Sequence, residues 1–201
     1  MIDEKTWAIQ AQQGNDEAFT QIVETYQKPV YNLCYRMLGE PGAAEDAAQE
    51  TFLRVYQNLH RYDVSRAFGT WILSIAAHYC IDLLRKKKFV MFSMDTENDD
   101  GMKFELPDGS APDPEAESVK RELHSRLHLL LKDLDETDRA AVIMRYWHDF
   151  SEKEIAQSLD LTVSAVKSRL HRSRRALAGM WNESEMRQAN PERRTYESPA
   201  F

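Results

Sequence analysis

Residues 151–177 read SEKEIAQSLDLTVSAVKSRLHRSRRAL. Lys167, Arg169, Arg172, Arg174 and Arg175 crowd into this stretch, and no carboxylate lies between Ser164 and Ala178, although the chain as a whole carries a formal net charge of −7. Ser151 and Glu154 have the spacing of a capping box, in which each side chain satisfies a free backbone N–H at the other position, so a helix is predicted to start at Ser151. After the short DLT break, Val163, Val166, Leu170, Ser173 and Leu177 share one face of a second helix. Ser164, Lys167, Ser168, His171, Arg172 and Arg175 occupy the opposite face. Two short helices joined by a tight turn, the second presenting cations, form the helix-turn-helix arrangement that places its second helix in the major groove. A merely solvated helix mixes signs for i,i+4 pairing, whereas this one repels itself unless an anion is near, and DNA phosphate is such an anion. Ser164, Lys167 and Ser168, early in the helix, are placed for base edges. Arg169, Arg172 and Arg175 are placed for the backbone or for mixed contacts.

The overall acidity is local. Residues 89–118 hold nine carboxylates against Lys103 alone, a net of −8 that leaves the remainder of the chain at +1. The same segment carries Gly101, Pro107, Gly109, Pro112 and Pro114, a composition that buries too little apolar surface to hold a fold, and it reads as a flexible linker. On either side apolar residues recur at helical spacing. The expectation is an all-α protein of two small helical domains, residues 1–88 and 119–181, with a frayed polar tail over 182–201. The start of the chain lacks the basic and apolar runs of a secretory signal, and no stretch is apolar enough to span a bilayer, so a cytoplasmic location is expected. Cys34 and Cys80 fall within apolar helical patterns and read as buried free thiols. His124 and His128 stand four apart, as ligands can, but without a carboxylate-His-His signature. No metal site, cofactor or catalytic set is expected.

In the first domain, GAAEDAAQETFLRVYQNL (42–59) places Ala48, Thr51, Phe52, Val55 and Leu59 on one side of a helix. Asp46, Gln49, Glu50 and Leu53 lie on the other, an apolar residue inside an acidic rim, as in a small protein-docking surface. In RYDVSRAFGTWILSIAAHYCIDLLRKKK (61–88), Thr70 is positioned to cap a helix whose second face aligns Trp71, Ser74, Ile75, His78, Asp82 and Arg85. Aromatics beside cations suit unstacked bases, a ring for the π-face and a charge for the phosphate.

With the blocks 31–88 and 134–177 both in view, the chain resembles the extracytoplasmic-function (group 4) sigma factors of bacterial RNA polymerase, in the sigma-70 family. The resemblance covers about residues 15–180. It implies a sigma-2-like and a sigma-4-like domain, and that EDAAQETFLRVY docks on the polymerase clamp through Asp46, Gln49, Glu50 and Leu53. It implies that the segment from Arg61 to Lys86 opens and reads the −10 promoter element as a single strand, with Arg61, Tyr62, Phe68, Trp71, His78, Arg85 and Lys86 as contacts. The −35 element would be read as duplex by Ser164, Lys167, Ser168, Arg169, His171, Arg172 and Arg175. Such proteins are held inactive by an anti-sigma factor, often membrane-anchored. Where many relatives carry Ile-Ala-Arg-Asn, this chain has Ile75-Ala76-Ala77-His78, which bears on base preference at the −10 element. Two rival readings are a helix-turn-helix activator that acts without polymerase, which leaves 42–88 unexplained, and a nucleic-acid-processing enzyme, for which no phosphate loop or nucleophile–base pair is present.

Overall fold

The computed structural model describes residues 4–93 and 126–189, and all regular structure among the described residues is helical. Helix α1 (Glu4–Gln12) leads into α2 (Asp16–Leu38), whose first turn is capped by the Asn15 side chain accepting from the Ala18 N–H. Gly39 ends α2 at φ +80°, a left-handed conformation that glycine adopts at little cost, and its N–H donates to the Tyr35 carbonyl. Pro41 then opens α3 (Pro41–Asn58), with Glu40 as its cap. A 3-10 turn (Leu59–Arg61) and a loop lead to α4 (Phe68–Ser93). The start of α4 lies two residues ahead of the expected cap at Thr70. Helices α2, α3 and α4 pack together around Ile22, Val30, Leu33, Met37, Val55, Ile72 and Ala76.

Residues 126–132 form helix α5, followed by α6 (Glu136–Trp147), α7 (Glu152–Ser158) and α8 (Val163–Ala189). Both halves of the capping box read from the sequence are present. The Glu154 N–H donates to the Ser151 hydroxyl at 3.2 Å, and the Ser151 N–H donates to the Glu154 carboxylate at 2.8 Å. The Ser151 hydroxyl and N–H hold the Glu154 carboxyl below its ordinary range. Asp160, at φ +52°, makes the turn into α8, and the Thr162 hydroxyl caps that helix by accepting from the Ala165 N–H. Ile143, Met144, Ile155, Val166 and Leu170 form the core of this second unit.

The segment boundaries differ from those expected. Helix α4 runs past residue 88 through the apolar 89–92 to Ser93, and α8 runs past Trp181 to Ala189, because a nucleated helix gains one backbone hydrogen bond for each further residue it fixes. The remainder of the acidic segment, His124 and the last residues of the tail lie outside the described residues. Cys34 and Cys80 are free and buried side by side. His128 is buried at 4% exposure against the α2–α3 turn. Among the described residues no helix is long and apolar enough to cross a membrane.

The two units pack directly on each other. Arg139 of α6 is 6% exposed and donates from Nη1 to the Met37 carbonyl at 2.6 Å and from Nη2 to the Lys132 carbonyl at 2.8 Å. Its charge thus sits on the C-terminal turn of α2 and at the end of α5, where helix dipoles are negative. A Cβ at Gly39 would lie 2.0 Å from His128 Nε2, so the imidazole seats on the bare glycine. Arg36 lies 5.1 Å from the centroid of the Trp147 ring, a cation–π contact across the same junction.

His128 and His148 are both held neutral. Burial lowers each to about 4, helped by Lys132 and Arg139 around His128 and by Arg36 near His148, where Asp149 opposes. A histidine depressed in the folded state contributes stability above its unfolded pKa and loses it as pH falls toward the folded value. Urea unfolding should therefore show stability constant above about pH 6.5 and falling toward pH 4, by on the order of 1–3 kcal/mol per histidine.

Candidate nucleic-acid interface

Helix α8 is amphipathic as read, apart from its first residue. Val166, Leu170 and Ser173 are buried, but Val163 is 39% exposed at the helix mouth, where no core residue covers it. Ser164, Lys167, Ser168, His171, Arg172 and Arg175 are all exposed on one outward face, with Arg174 beside them. Lys167 reaches Glu152 of α7 at 3.7 Å, a contact that water screens.

Arg169 differs from the other cations. Its guanidinium lies 2.5 Å from the Asp138 carboxylate and 3.8 Å from Asp135, both flanking the start of α6. Asp135 also caps α6 by accepting from the Thr137 N–H. Arg169 thus ties α8 to α6, and its guanidinium is turned toward these carboxylates rather than along the outward stripe. From sequence, the i,i+1 offset between Arg169 and the outward stripe was the available sign.

Helix α3 buries Ala44, Ala47, Thr51 and Val55, with Ala48 and Phe52 at the edge of the stripe. Asp46 and Gln49 are exposed, and Leu53 is 51% exposed. Glu50 pairs with Arg54 at 2.7 Å, and Arg54 in turn lies over the Tyr79 ring at 4.5 Å, which ties α3 to α4. One turn after Leu53, Tyr56 is 56% exposed and meets the Phe19 ring edge-on at 5.0 Å, so the apolar spot on this face is larger than Leu53 alone. Tyr56 carries no such sign in the sequence, because only its neighbour on α2 reveals which way the ring turns.

The segment from Arg61 to Lys86 is divided. Tyr62 and Phe68, expected at bases, are 4% and 2% exposed. Tyr62 donates its hydroxyl to the Arg66 carbonyl, and both rings pack on Trp71, at 4.9 Å from Tyr62 and 5.5 Å from Phe68. Buried inside the three-helix core, both rings brace Trp71 and present no free π-face in this arrangement. Arg61 and Lys86 are exposed, and Trp71 and His78 are half-buried along one side of α4. His78 Nδ1 lies 2.9 Å from the Ser74 carbonyl.

That side of α4 faces the second unit. His78 Nε2 lies 3.7 Å from the Asp160 carboxylate, Arg85 donates to the Thr137 hydroxyl at 3.3 Å, and Lys88 lies 3.8 Å from Glu136. Nearer the start of α4, a cleft of about 490 Å³ runs between Arg66, Thr70, Trp71 and Ser74 on one wall and Lys153, Glu154 and Gln157 on the other.

Residues 22–90 match the family model for sigma-70 region 2, and residues 124–177 match that for sigma-70 region 4. The ECF RNA polymerase sigma factor SigW of Bacillus subtilis is 36% identical over 173 residues, covering 84% of this chain and 91% of that protein. SigX of the same organism is 30% identical over 81% of this chain and 82% of its own length. Among solved structures, CnrH in complex with the cytosolic domain of CnrY has the same fold, with a TM-score of 0.67 at 23% identity over 90% of this chain and 99% of that one. Matched in both regions and along most of its length, the chain belongs to the ECF RNA polymerase sigma factors, which bind bacterial core polymerase and direct promoter-specific initiation of transcription.

Proposed function

We propose that the described surfaces divide that work as follows. Asp46, Gln49, Glu50 and Leu53 on α3, joined by Tyr56, dock the polymerase. Arg61, Trp71, His78, Arg85 and Lys86 take the −10 element as a single strand, with Tyr62 and Phe68 bracing Trp71 from inside. Ser164, Lys167, Ser168, His171, Arg172 and Arg175 take the −35 element as duplex, and Arg169 sets the pitch of α8. The outward basic face of α8 carries this reading most directly, because it is a surface stripe of cations with, among the described residues, an acidic partner only at Lys167.

Polymerase binding places two modest DNA readers at a fixed separation, and their linkage multiplies affinity through effective concentration. Opening of the duplex is driven by capture of unstacked bases, each stacking contact being worth roughly 1–3 kcal/mol. The chain supplies no bond-making chemistry in this scheme. It works in the cytoplasm, and an anti-sigma factor that covers its binding faces keeps it inactive. Two solved relatives in fold, CnrH and the RpoE of Bartonella quintana, are each held in complexes, with CnrY and with the anti-sigma factor NepR respectively.

Run-off transcription with core polymerase on a pool of host promoter fragments tests the whole scheme. Discrete transcripts should require both components, whereas identical products from core alone would favour an activator that acts without polymerase. Leu53→Ala should weaken core binding in a pull-down titration while leaving the unfolding midpoint nearly unchanged, since half of the residue is open to solvent. Arg172→Ala should lower affinity for −35 duplex and reduce the slope of log affinity against log salt by about one unit, as loss of one phosphate contact requires. An unaltered slope would place Arg172 off the DNA.

A further inference from the structure

Helix α1 carries none of the residues assigned to polymerase or DNA, yet its last residue holds the turn that leads into the strand-reading segment. The Gln12 side-chain amide donates from Nε2 to the Leu59 carbonyl at 2.8 Å and to the Tyr62 carbonyl at 2.9 Å. A side-chain amide nitrogen has two hydrogens, and here each meets one end of the 3-10 turn. The Leu59 carbonyl also accepts from the Tyr62 N–H at 3.0 Å, so a side chain 47 residues away closes the turn from inside. Leu59 and Tyr62 are buried, and Arg61 between them is exposed. Gln12 is itself held in place, because α1 stops there. Gly14 turns the chain at φ +88°, the Asn15 N–H donates to the Gln10 carbonyl at 3.1 Å, and Asn15 caps α2. Ala8, one turn before Gln12, is fully buried.

From the clamped turn the contacts run on to Trp71. The Tyr62 hydroxyl donates to the Arg66 carbonyl, which folds the loop 62–66 back on itself, and the Tyr62 ring lies 4.9 Å from the Trp71 ring. At the other end of α1, Glu4 hydrogen-bonds the Tyr26 hydroxyl, and the Tyr26 ring meets Phe68 at 5.5 Å. We propose that Gln12 is a positioning residue for promoter opening: its amide fixes the Leu59–Tyr62 turn, and through it Arg61 and Trp71, in the arrangement that receives the −10 strand. This rests on the assignment of Arg61 and Trp71 to that strand. With the amide removed, the turn samples other backbone states, and part of the strand-binding energy goes into ordering it at capture. A turn already held in shape avoids that loss.

Gln12→Leu keeps most of the side chain's bulk and removes both donors. Holoenzyme assembled from core polymerase and the full-length variant should bind a fluorescein-labelled non-template strand about tenfold less tightly than wild type, the probe being about 20 nucleotides that span the −10 element of a promoter recovered in the run-off assay. Affinity for core and for −35 duplex should stay at the wild-type value. Because the amide acts through the turn, its loss should couple to Arg61→Ala: the two substitutions together should weaken strand binding by less than the product of their separate effects. Paired with Lys86→Ala, at the far end of the reading side, Gln12→Leu should give the full product. A substitution that merely softened the fold would reduce strand binding by the same factor in both backgrounds. Should Gln12→Leu prove poorly folded by circular dichroism, Gln12→Asn, one methylene too short to span both carbonyls, should show a smaller loss with the same coupling. A folded variant with wild-type strand affinity, or a loss that multiplies equally with Arg61→Ala and Lys86→Ala, overturns the positioning role. If Arg61→Ala alone leaves strand binding untouched, the turn does not meet the strand, and the inference falls with that assignment.

Discussion

One buried guanidinium holds this structure in its closed form. Arg139 carries a positive charge at 6% exposure, a placement that costs several kcal/mol unless acceptors offset it; both terminal nitrogens find acceptors, while the buried Nε has none. The acceptors are backbone carbonyls at the ends of two helices from different parts of the chain, Met37 and Lys132 at short range and Leu134 at 3.4 Å. Helix termini have unpaired carbonyls in any case, so one side chain resolves two deficits at once. Because Met37 belongs to the first unit and Lys132 to the second, each unit completes the other.

The basic run in α8 illustrates how identical residue types divide their duties by angle. A helix turns 100° per residue, so Arg169 and Arg172 share a surface only approximately. Arg169 falls toward α6, where two carboxylates of the capping turn receive it, while Arg172 and Arg175 face water. The self-repulsion of the outward stripe is a standing electrostatic cost that only an external anion relieves, and this is a cost that a helix with purely structural duties would not carry. On α4 the same arithmetic separates Phe68, locked in the core, from Trp71, whose ring edge borders solvent.

The architecture and the helix-turn-helix were legible in the sequence because both rest on local signals. The 3.6-residue period, the Ser151–Glu154 box and the Gly39-Glu40-Pro41-Gly42 break need no tertiary partner to act. The parts that were not legible depend on pairs distant in the chain. Tyr62 and Phe68 sit in a stretch rich in cations and aromatics, and only the packing against Tyr26 and Trp71 decides that they are core rather than contact. Arg139, inside the apolar run RAAVIM, gave no local sign that its partner lies 102 residues away at Met37. Docking of one unit on the other was likewise invisible, since the ion pairs across it are ordinary surface residues in each half.

Gly39 and His128 are constrained by one another in a way that neither shows alone. A side chain at 39 and an imidazole at 128 claim the same volume, so a lineage that gains one must give up the other or abandon the closed form. The contact between the units therefore has an evolutionary signature in joint substitution: across relatives that close in this way, the two positions should change together, small against large.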